Sequence, residues 1–404
     1  MKYIVLLGDG MADYPLAERG GKTPLQISRT PAMDRLAHKG VIGLAGTIPD
    51  GLSPGSDVAN LSVMGYDPGR FYSGRAPIEA ASMGVALSGR DVAFRCNLVT
   101  LAERDGHLYM DDYSAGHIST ADAAAVVRGL KEELDGDDIT FYPGVSYRHL
   151  MVWRQGEAGM QATPPHDISG RRIDEHLPAG PGSDRIRGIM ERARGVLPGL
   201  AVNRDKVRQG LKPANAIWLW GQGRKPAIPA FADKYGLTGS VISAVDLIKG
   251  LGICAGLNAV SVPGATGYLD TNYEGKARAA LEALESVDFV YLHVEAPDEA
   301  SHKGSFEEKV QAIEDFDRRI VGPVVEGIEK RFGEYRILVM PDHPTPLSLR
   351  THVSDPVPFI IYTSDDRERA DRAQAGYSEQ DAAASGVSVE KGWELMDRFI
   401  KGGE

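Results

Sequence analysis

Four short segments of the sequence carry carboxylate side chains, and three of them carry a histidine as well. The segments are GDGMAD with Asp9, EAPDEASHKG with Asp298 and His302, MPDHPTP with Asp342 and His343, and RTHVSDPVP with His352. Oxygen and imidazole ligands without thiolates favour Mn²⁺, Zn²⁺ or Mg²⁺ over soft metals, and their mixture favours Mn²⁺ or Zn²⁺. One such pair alone is more often a turn or capping pair than a ligand set. The recurrence of the pattern therefore predicts a site for divalent metal.

The spacing inside two of these segments bears on how the ligands converge. Asp298 and His302 stand four residues apart, so they face the same side if the segment is helical, which suits one metal ion. Asp342 and His343 are adjacent at the end of an apolar strand, where neighbouring side chains point to opposite faces. They converge only if the strand ends in an irregular turn, and the two prolines of DHPTP provide that break.

A candidate nucleophile lies in the segment PDGLSPGSDVANLSVMGYDP. Ser56 stands between Gly55 and Asp57, where a loop is predicted to run into a helix. Glycine lets the backbone approach a ligand closely, and a helix N-terminus offers unpaired N–H groups to a phosphate. From this motif alone, a plain helix cap made by the serine or the aspartate is an equally good interpretation.

Three of the predicted strands end at acidic residues. The run KYIVLLG ends at Asp9, DFVYLHV ends at Glu295 and RILVM ends at Asp342. A helix from Thr30 to Gly40 follows the first strand, and strands and helices alternate again after residue 213. This order predicts an α/β fold with a mostly parallel sheet. Such sheets bind their ligands at the C-terminal ends of the strands, where the acidic residues lie.

The pattern changes between residues 93 and 212. This stretch contains more charged, proline and glycine residues, the strand-like pieces FRCNLVTLA and HLYMDD, and the helical piece TADAAAVVRGLKEEL. We interpret 93–212 as an inserted α+β cap domain that binds the substrate, between core segments 1–92 and 213–404. The strand IWLWG belongs to the core in this interpretation, because it opens the second series of strands and helices.

The composition limits the classes of function. The chain has 404 residues, enough for two domains, and its net charge of −11 argues against nucleic acid as a partner. Its two cysteines, Cys96 and Cys254, lie outside any CxxC pattern, which favours a reducing cytoplasm. No apolar stretch approaches the roughly 20 residues of a membrane helix, so no membrane partner is expected. A small anionic substrate remains compatible, since local arginines or a metal reverse the potential inside a cleft.

Several segments together resemble one enzyme family. GDGMAD, PGSDVANLSVMGYDP, APDEASH, PDHPTP and THVSDPVPFIIY are similar to segments of the archaeal-type cofactor-independent phosphoglycerate mutases, in the same order and at similar spacing. SAGHIST and YPGVSYRHLMV extend the likeness into the insert, so it covers nearly the whole chain. The resemblance implies an alkaline phosphatase-like three-layer core and interconversion of 2-phosphoglycerate and 3-phosphoglycerate without 2,3-bisphosphoglycerate.

The resemblance also implies roles for the clustered residues. Ser56 would carry the phosphate and join Asp9, Asp342 and His343 around one metal ion, and the second ion would be held by Asp298, His302 and His352. Mn²⁺ is the expected metal, with Zn²⁺, Mg²⁺ or Co²⁺ as alternatives. Two such ions lower the pKa of the serine hydroxyl and stabilise the departing oxygen, so no separate general base is needed.

The insert is expected to bind the small phosphorylated anion and to exclude water, because an exposed phosphoserine would hydrolyse. Arg148 and Arg95 suit phosphate or carboxylate, since a guanidinium binds both in bidentate fashion. His117 is the candidate for proton transfer, and Asn97 is a further substrate contact. No role is assigned to the other histidines of the insert, and Trp218 and Trp220 are interpreted as packing residues.

Other functions remain open from the sequence. GRAPIEAASMGV, RCNLVTL and SYRHLMVW look at least as much like a bacterial branch proposed to act as homoserine kinases. The absence of a GxxxxGK[ST] motif or a kinase glycine loop favours the mutase mildly. A phosphatase with a leaky cap and a metal-binding structural protein are further alternatives, and the chain is expected to be a monomer or a homo-oligomer.

Overall fold

The chain divides into two compact units in a computed structural model, which describes residues 1–369 and 376–402. The first unit consists of Met1–Tyr72 and Ala227–Glu404, and the second is Ser73–Pro226. The predicted insert of residues 93–212 falls within the second unit, and its role as a substrate-binding cap stays a prediction. Within the described ranges, no helix is both long and apolar enough to span a membrane.

The secondary structure alternates between strands and helices along most of the chain. The strands are β1 (Lys2–Gly8), β2 (Val41–Ala45), β3 (Val92–Arg104), β4 (His107–Asp112), β5 (Ile139–Tyr142), β6 (Arg148–Trp153), β7 (Ala216–Arg224), β8 (Gly239–Ile242), β9 (Asn258–Val260), β10 (Phe289–Val294), β11 (Tyr335–Met340), β12 (Val357–Thr363) and β13 (Ser388–Val389). The helices are α1 (Pro24–Ile27), α2 (Pro31–Lys39), α3 (Ser56–Val63), α4 (Pro68–Phe71), α5 (Arg75–Ser82), α6 (Thr120–Leu134), α7 (Ser183–Val196), α8 (Ala201–Arg208), α9 (Phe231–Tyr235), α10 (Asp246–Cys254), α11 (Tyr273–Ala283), α12 (Ala296–Lys303), α13 (Phe306–Phe316), α14 (Gly322–Arg331), α15 (Glu379–Ala384) and α16 (Leu395–Lys401).

The first unit is built on an eight-stranded sheet. Its strand order is β13-β2-β12-β11-β1-β10-β8-β9, and only the pairings of β12 with β11 and β2 are antiparallel. The central strand β1 is buried over Tyr3–Gly8, and its side chains Ile4 and Leu6 belong to the main apolar core of the unit. The α/β fold with a mostly parallel sheet, expected from the sequence, is therefore confirmed.

Strand β10 carries two kinds of side chain on its two faces. Val290, Leu292 and Val294 belong to the main apolar core of the unit, together with residues of β1, α2, α11 and α14. Tyr291 and His293 alternate with them and are fully buried on the opposite face. Buried polar side chains are normally hydrogen-bonded, so we expect partners for the Tyr291 hydroxyl and the His293 imidazole on this face of the sheet.

Helix α2 is capped by a side chain distant in sequence. A π-helical turn, Asp317–Val321, joins α13 to α14. Asp317 accepts hydrogen bonds from the N–H groups of Met33 at 2.7 Å and Ala32 at 3.2 Å. Burial nevertheless raises the pKa of Asp317 from 3.8 to about 6, because these two bonds only partly offset desolvation.

This shift gives an expected pH dependence of stability. A raised carboxyl pKa in the folded state means that its contribution is most favourable below pH 4 and is lost as the pH rises through 6. The loss is on the order of 3 kcal/mol for a shift of this size. Asparagine does not ionise, so the Asp317→Asn variant should not show this loss. Its free energy of unfolding, measured by urea denaturation, should rise relative to that of the unmodified protein as the pH increases from 4 to 7. A difference that stays constant over this range would contradict the assignment.

The second unit contains an antiparallel sheet. The long strand β3 pairs with β6 and β4 along one edge and with β7 along the other. The sequence-based assignment of IWLWG to the parallel core is wrong, because this segment forms most of β7 and pairs with β3. An apolar run indicates a strand but does not indicate its partner. Burial of Trp218 and Trp220 in the core of this unit accounts for its placement.

Candidate active site

Three neighbouring strands bring the acidic residues of the first unit together. In the sheet, β1 lies between β10 and β11 and runs parallel to both. Asp9 follows β1, Asp342 follows β11, and Asp298 lies on α12 directly after β10. The C-terminal strand ends meet at one edge of the sheet, as the sequence pattern predicts. Residues that are distant in sequence therefore lie within a few ångströms of one another.

Asp9, Asp342 and His343 form one cluster of potential ligand atoms. His343 Nε2 lies 3.5 Å from Asp9 Oδ1 and 3.4 Å from Asp342 Oδ2. The hydroxyl of Ser56 lies 3.1 Å from the same His343 nitrogen. Asp342 Oδ1 accepts hydrogen bonds from the N–H groups of His343 and Gly10, so the turn after β11 fixes this carboxylate. The structure thus brings together all four residues of the first predicted ligand set.

Asp298, His343 and His352 form a second cluster, which shares His343 with the first. Asp298 Oδ1 lies 3.5 Å from His352 Nε2, and Asp298 Oδ2 lies 3.1 Å from His302 Nε2. The Nε2 atoms of His302 and His352 are 2.9 Å apart. The helical spacing predicted for Asp298 and His302 is present on α12. The second predicted ligand set is therefore also assembled, next to the first.

The electrostatics of these clusters follow from burial and crowding. Burial raises the pKa of Asp9 well above its ordinary value, and the charges of Asp342 and Asp298 add to the shift. Burial also acts to raise the pKa of Asp298, but hydrogen bonds from His302 and His352 hold it well below the ordinary value. The bond to Asp298 raises the pKa of His302 to about 9. Like-charged carboxylates this close are stabilised by a bound cation.

The donor set fits a divalent metal. Asp9 Oδ1 is buried and has no hydrogen-bond partner among the described residues, although it lies close to His343. A buried carboxylate oxygen without a donor is costly unless a cation compensates it. Burial lowers the pKa of His343, which keeps its imidazole neutral and able to coordinate. Carboxylate and imidazole donors together suit Mn²⁺ or Zn²⁺.

Ser56 occupies the first position of helix α3. Gly55 is the N-cap, with no side-chain cap bond, so the alternative of a plain serine cap does not describe this residue. Ser56 Oγ instead faces His343 Nε2. The backbone of Gly55 is extended, and a side chain there would meet Asp57 Oδ1. The N-terminus of α3 therefore presents the Ser56 hydroxyl towards the carboxylate and imidazole cluster.

A buried lysine connects the two loops that carry these residues. Lys309 Nζ donates to Asp13 Oδ2 at 2.8 Å, Thr345 O at 3.0 Å and Ala12 O at 3.3 Å. Asp13 in turn accepts a hydrogen bond from the N–H of Leu347. The loop after β1 and the loop after β11 are therefore joined by one fully buried ion pair. Sequence reasoning missed Lys309, which is one of several charged residues on α13.

Two further buried side chains orient the ligands and were also missed. Thr345 Oγ1 donates to Asp298 Oδ1 at 2.5 Å and lies 3.2 Å from His343 Nδ1, so it contacts both clusters. His293 Nε2 lies 2.8 Å from Asp9 Oδ2, and its Nδ1 lies 3.1 Å from Ser243 Oγ. The available sequence signal was a histidine inside an otherwise apolar strand. Such outer contacts fix the orientation of metal ligands.

The predicted substrate residues lie in the second unit, around β3. Arg95 is buried, its Nε lies 3.0 Å from Glu79 Oε2, and its guanidinium lies 4.3 Å above the Trp220 ring. Asn97 Oδ1 accepts a hydrogen bond from Trp220 Nε1 at 3.0 Å. Arg148, at the start of β6, is the strand partner of Asn97 and is exposed. Three of the four residues therefore share one region of this sheet.

His117 lies beside this region rather than in it. Its backbone has a φ of +51°, and its ring centroid is 6.3 Å from that of Tyr147. His166, given no role from the sequence, packs with its ring 5.5 Å from Trp220. Burial lowers the pKa of His166, and the charge of Arg95 contributes to the shift. A neutral imidazole therefore lies among arginines in this unit.

The charges of this region are partly balanced by one carboxylate. Burial acts to raise the pKa of Glu79, but the charges of Arg95, Arg75 and Arg148 hold it below the ordinary value. Burial lowers the pKa of Arg95 to about 10. The second unit thus contains a preformed cluster of arginines around Glu79, which is suited to a small anion.

Comparisons with known proteins give consistent results. The family model for 2,3-bisphosphoglycerate-independent phosphoglycerate mutase matches residues 37–203. A probable 2,3-bisphosphoglycerate-independent phosphoglycerate mutase of Geobacter sulfurreducens is 58% identical over 400 residues, which cover 99% of this chain and 100% of that protein. A 2,3-bisphosphoglycerate-independent phosphoglycerate mutase of Methanothrix thermoacetophila is 54% identical over 402 residues, 100% of both chains. A solved structure from Pyrococcus horikoshii has a TM-score of 0.83 at 28% identity, and the match covers 99% of this chain and 96% of that one.

Proposed function

Because this chain belongs to the 2,3-bisphosphoglycerate-independent phosphoglycerate mutase family, we propose that it interconverts 2-phosphoglycerate and 3-phosphoglycerate through a phosphorylated Ser56. The observation that carries the residue assignment is the position of Ser56 Oγ, 3.1 Å from His343 Nε2 at the edge of two carboxylate and imidazole clusters. A hydroxyl in such a place is suited to accept and return a phosphoryl group. No 2,3-bisphosphoglycerate takes part.

The reaction consists of two phosphoryl transfers in opposite directions. In the first, Ser56 Oγ forms a bond to phosphorus, the bond from phosphorus to the 3-oxygen breaks, and glycerate takes up the proton that serine gives up. The bound glycerate then reorients. In the second, its 2-oxygen forms a bond to phosphorus, the bond to Ser56 Oγ breaks, and the serine regains a proton. In this proposal the N-terminus of α3 stabilises the phosphate on Ser56, because the partial positive charge of a helix N-terminus favours an anion.

The clusters divide between two divalent ions. Asp9, Asp342, His343 and Ser56 would hold one, and Asp298, His302 and His352 would hold the other. Bound ions lower the pKa of the serine hydroxyl and neutralise charge on the phosphoryl oxygens. Mn²⁺ is our proposed metal because the ligands mix carboxylate with imidazole. Thr345 and His293 keep the ligand side chains in place by hydrogen bonds to Asp298 and Asp9.

The second unit supplies the contacts to the substrate in this proposal. Arg95, Arg148 and Asn97 bind the carboxylate and hydroxyl groups of the glycerate, and His117 takes part in proton transfer. The support is the arginine cluster around Glu79, in which burial and the stacking of Arg95 on Trp220 reduce the freedom of the guanidinium. Preorganised guanidinium groups bind carboxylate or phosphate with little loss of conformational entropy. We place the reaction in the cytoplasm, because the sequence has two cysteines and neither belongs to a CxxC pattern.

Metal removal and reloading test the proposed function. Metal-stripped protein is expected to be inactive, and Mn²⁺ should restore conversion of 3-phosphoglycerate to 2-phosphoglycerate, followed by coupling to enolase without 2,3-bisphosphoglycerate. The clusters predict this dependence because the Asp9 and Asp342 carboxylates lie together and the buried Asp9 Oδ1 has no hydrogen-bond donor among the described residues.

Parallel incubations identify the alternatives. Release of inorganic phosphate from 3-phosphoglycerate without formation of 2-phosphoglycerate would assign a phosphatase. Phosphorylation of homoserine by ATP, with no turnover of 3-phosphoglycerate, would assign a kinase. Either outcome would contradict the proposed function while leaving the metal clusters intact.

A further inference from the structure

A tyrosine in the middle of the parallel sheet is linked to the nucleophile by hydrogen bonds. The hydroxyl of Tyr291 on β10 donates to Asn60 Oδ1 at 2.7 Å. Asn60 Nδ2 donates to Asp342 Oδ2 at 2.7 Å and to the carbonyl oxygen of Ser56 at 2.9 Å. One amide therefore contacts a potential metal ligand and the backbone of the residue that carries the reacting hydroxyl.

We propose that Tyr291 is a positioning residue that acts through Asn60 to hold Asp342 and Ser56 in the geometry needed for metal binding and phosphoryl transfer. The inference rests on the proposed function for its catalytic part and on the structure alone for its metal-binding part. Neither Tyr291 nor Asn60 is in a predicted ligand set. Both are fully buried, so their polar atoms depend on one another for hydrogen bonds.

The direction of the amide explains why the tyrosine matters. An asparagine side chain can turn over so that oxygen and nitrogen exchange places. In the observed orientation, Asn60 Nδ2 faces two acceptors, Asp342 Oδ2 and the carbonyl oxygen of Ser56. On the other side of the amide, the Tyr291 hydroxyl donates to Asn60 Oδ1. In the reversed orientation, the amide oxygen would face the carboxylate of Asp342 and the carbonyl of Ser56, which repel it. Tyr291 therefore stabilises the orientation in which Asn60 donates to both.

The same links connect three elements of the first unit. Ser56 and Asn60 are four residues apart on α3, so both lie on one face of the helix. Asp342 follows β11, and Tyr291 lies on β10 two residues before His293, which contacts Asp9. Burial raises the pKa of Tyr291 well above its ordinary value, which keeps its hydroxyl protonated as a donor. Two side chains from one face of β10 thus support the two aspartates of the first cluster.

The test is a Mn²⁺ titration of metal-stripped protein by calorimetry, with Tyr291→Phe as the variant. The change removes one oxygen and keeps the ring. Loss of a direct hydrogen-bond partner of a metal ligand weakens metal binding or activity by about 10–100-fold, and Tyr291 acts one hydrogen bond further out, so the lower end of this range, about 10-fold, applies. We expect a loss of this size in the affinity for one Mn²⁺ and in kcat, with KM for 3-phosphoglycerate unchanged. The matched control is Tyr377→Phe, which removes an equally buried hydroxyl that donates to Pro358 O.

A double variant tests the route through asparagine. If Tyr291 acts through Asn60, then Tyr291→Phe should have little further effect on Mn²⁺ affinity in an Asn60→Ala background. The proposal is overturned if Tyr291→Phe matches Tyr377→Phe in both Mn²⁺ affinity and kcat, or if only its melting temperature falls. Absence of mutase turnover in the unmodified protein would contradict the proposed function instead, and the Mn²⁺ titration would still decide the role of Tyr291.

Discussion

The Ser56→Ala variant is expected to lose about 10⁴- to 10⁶-fold of the mutase rate, a loss typical of removing an enzyme nucleophile. The substitution removes the hydroxyl 3.1 Å from His343 Nε2 and leaves α3 otherwise unchanged. Asp9, Asp342 and His343 remain in the variant, so it should still bind metal. The measurement is the enolase-coupled rate with 3-phosphoglycerate at saturating Mn²⁺.

Ser53→Ala is the control for this experiment, because Ser53 is an exposed serine in the same loop and lies outside both clusters. Its rate should equal that of the unmodified protein. Mass spectrometry of protein quenched during turnover should show phosphate on the peptide containing Ser56, and no phosphoprotein in the Ser56→Ala variant. Turnover that survives in this variant, or phosphate found on a different residue, would remove Ser56 from its proposed role.

Loss of the Lys309 cation is expected to have the largest effect on stability. Burial lowers the pKa of Lys309, and the charge of Asp13 opposes that shift. The Lys309→Met variant leaves the Asp13 carboxylate buried without its partner and frees the carbonyl groups of Ala12 and Thr345. Removing one member of a buried ion pair typically costs about 3–5 kcal/mol. Urea denaturation should show a decrease of this size in the free energy of unfolding.

Two comparisons separate the buried pair from a general effect of losing a lysine. Lys330→Met breaks an exposed pair with Glu326 and should change the free energy of unfolding by less than about 1 kcal/mol. The double variant Lys309→Met with Asp13→Leu should recover part of the loss, because neither charge then remains buried alone. Equal losses for Lys309→Met and Lys330→Met would show that the buried pair does not hold the two loops.

The strands and the first contacts of the site were predictable because their signals are local. The run KYIVLLG, the spacing of Asp298 and His302 and the prolines after His343 each appear within a few residues, and the structure has the corresponding elements. A short run of apolar residues indicates a strand because a strand in the middle of a sheet is buried on both faces. A spacing of four residues indicates one face of a helix because the helix repeats every 3.6 residues, as is general for α-helices.

The supporting residues were not predictable, because their partners are distant in sequence. Asn60 lies 282 positions from Asp342, and Lys309 lies 296 positions from Asp13. A tyrosine in a strand is ordinarily a packing residue, so Tyr291 gave no signal of a polar role. The assignment of IWLWG to the parallel core was wrong for the same reason, because the composition of a strand does not show which strand it pairs with.

The position of β1 in the sheet has a consequence for synthesis on the ribosome. Its two neighbours, β10 and β11, begin at Phe289 and Tyr335, whereas β1 ends at Gly8. At about 5–20 residues per second, translation takes on the order of 15–60 s to reach β10 after β1 has been made. The unit Ser73–Pro226 is complete in the nascent chain well before then. The apolar strand β1 therefore lacks both neighbouring strands during this interval, and an unpaired apolar strand is prone to aggregate until they are made.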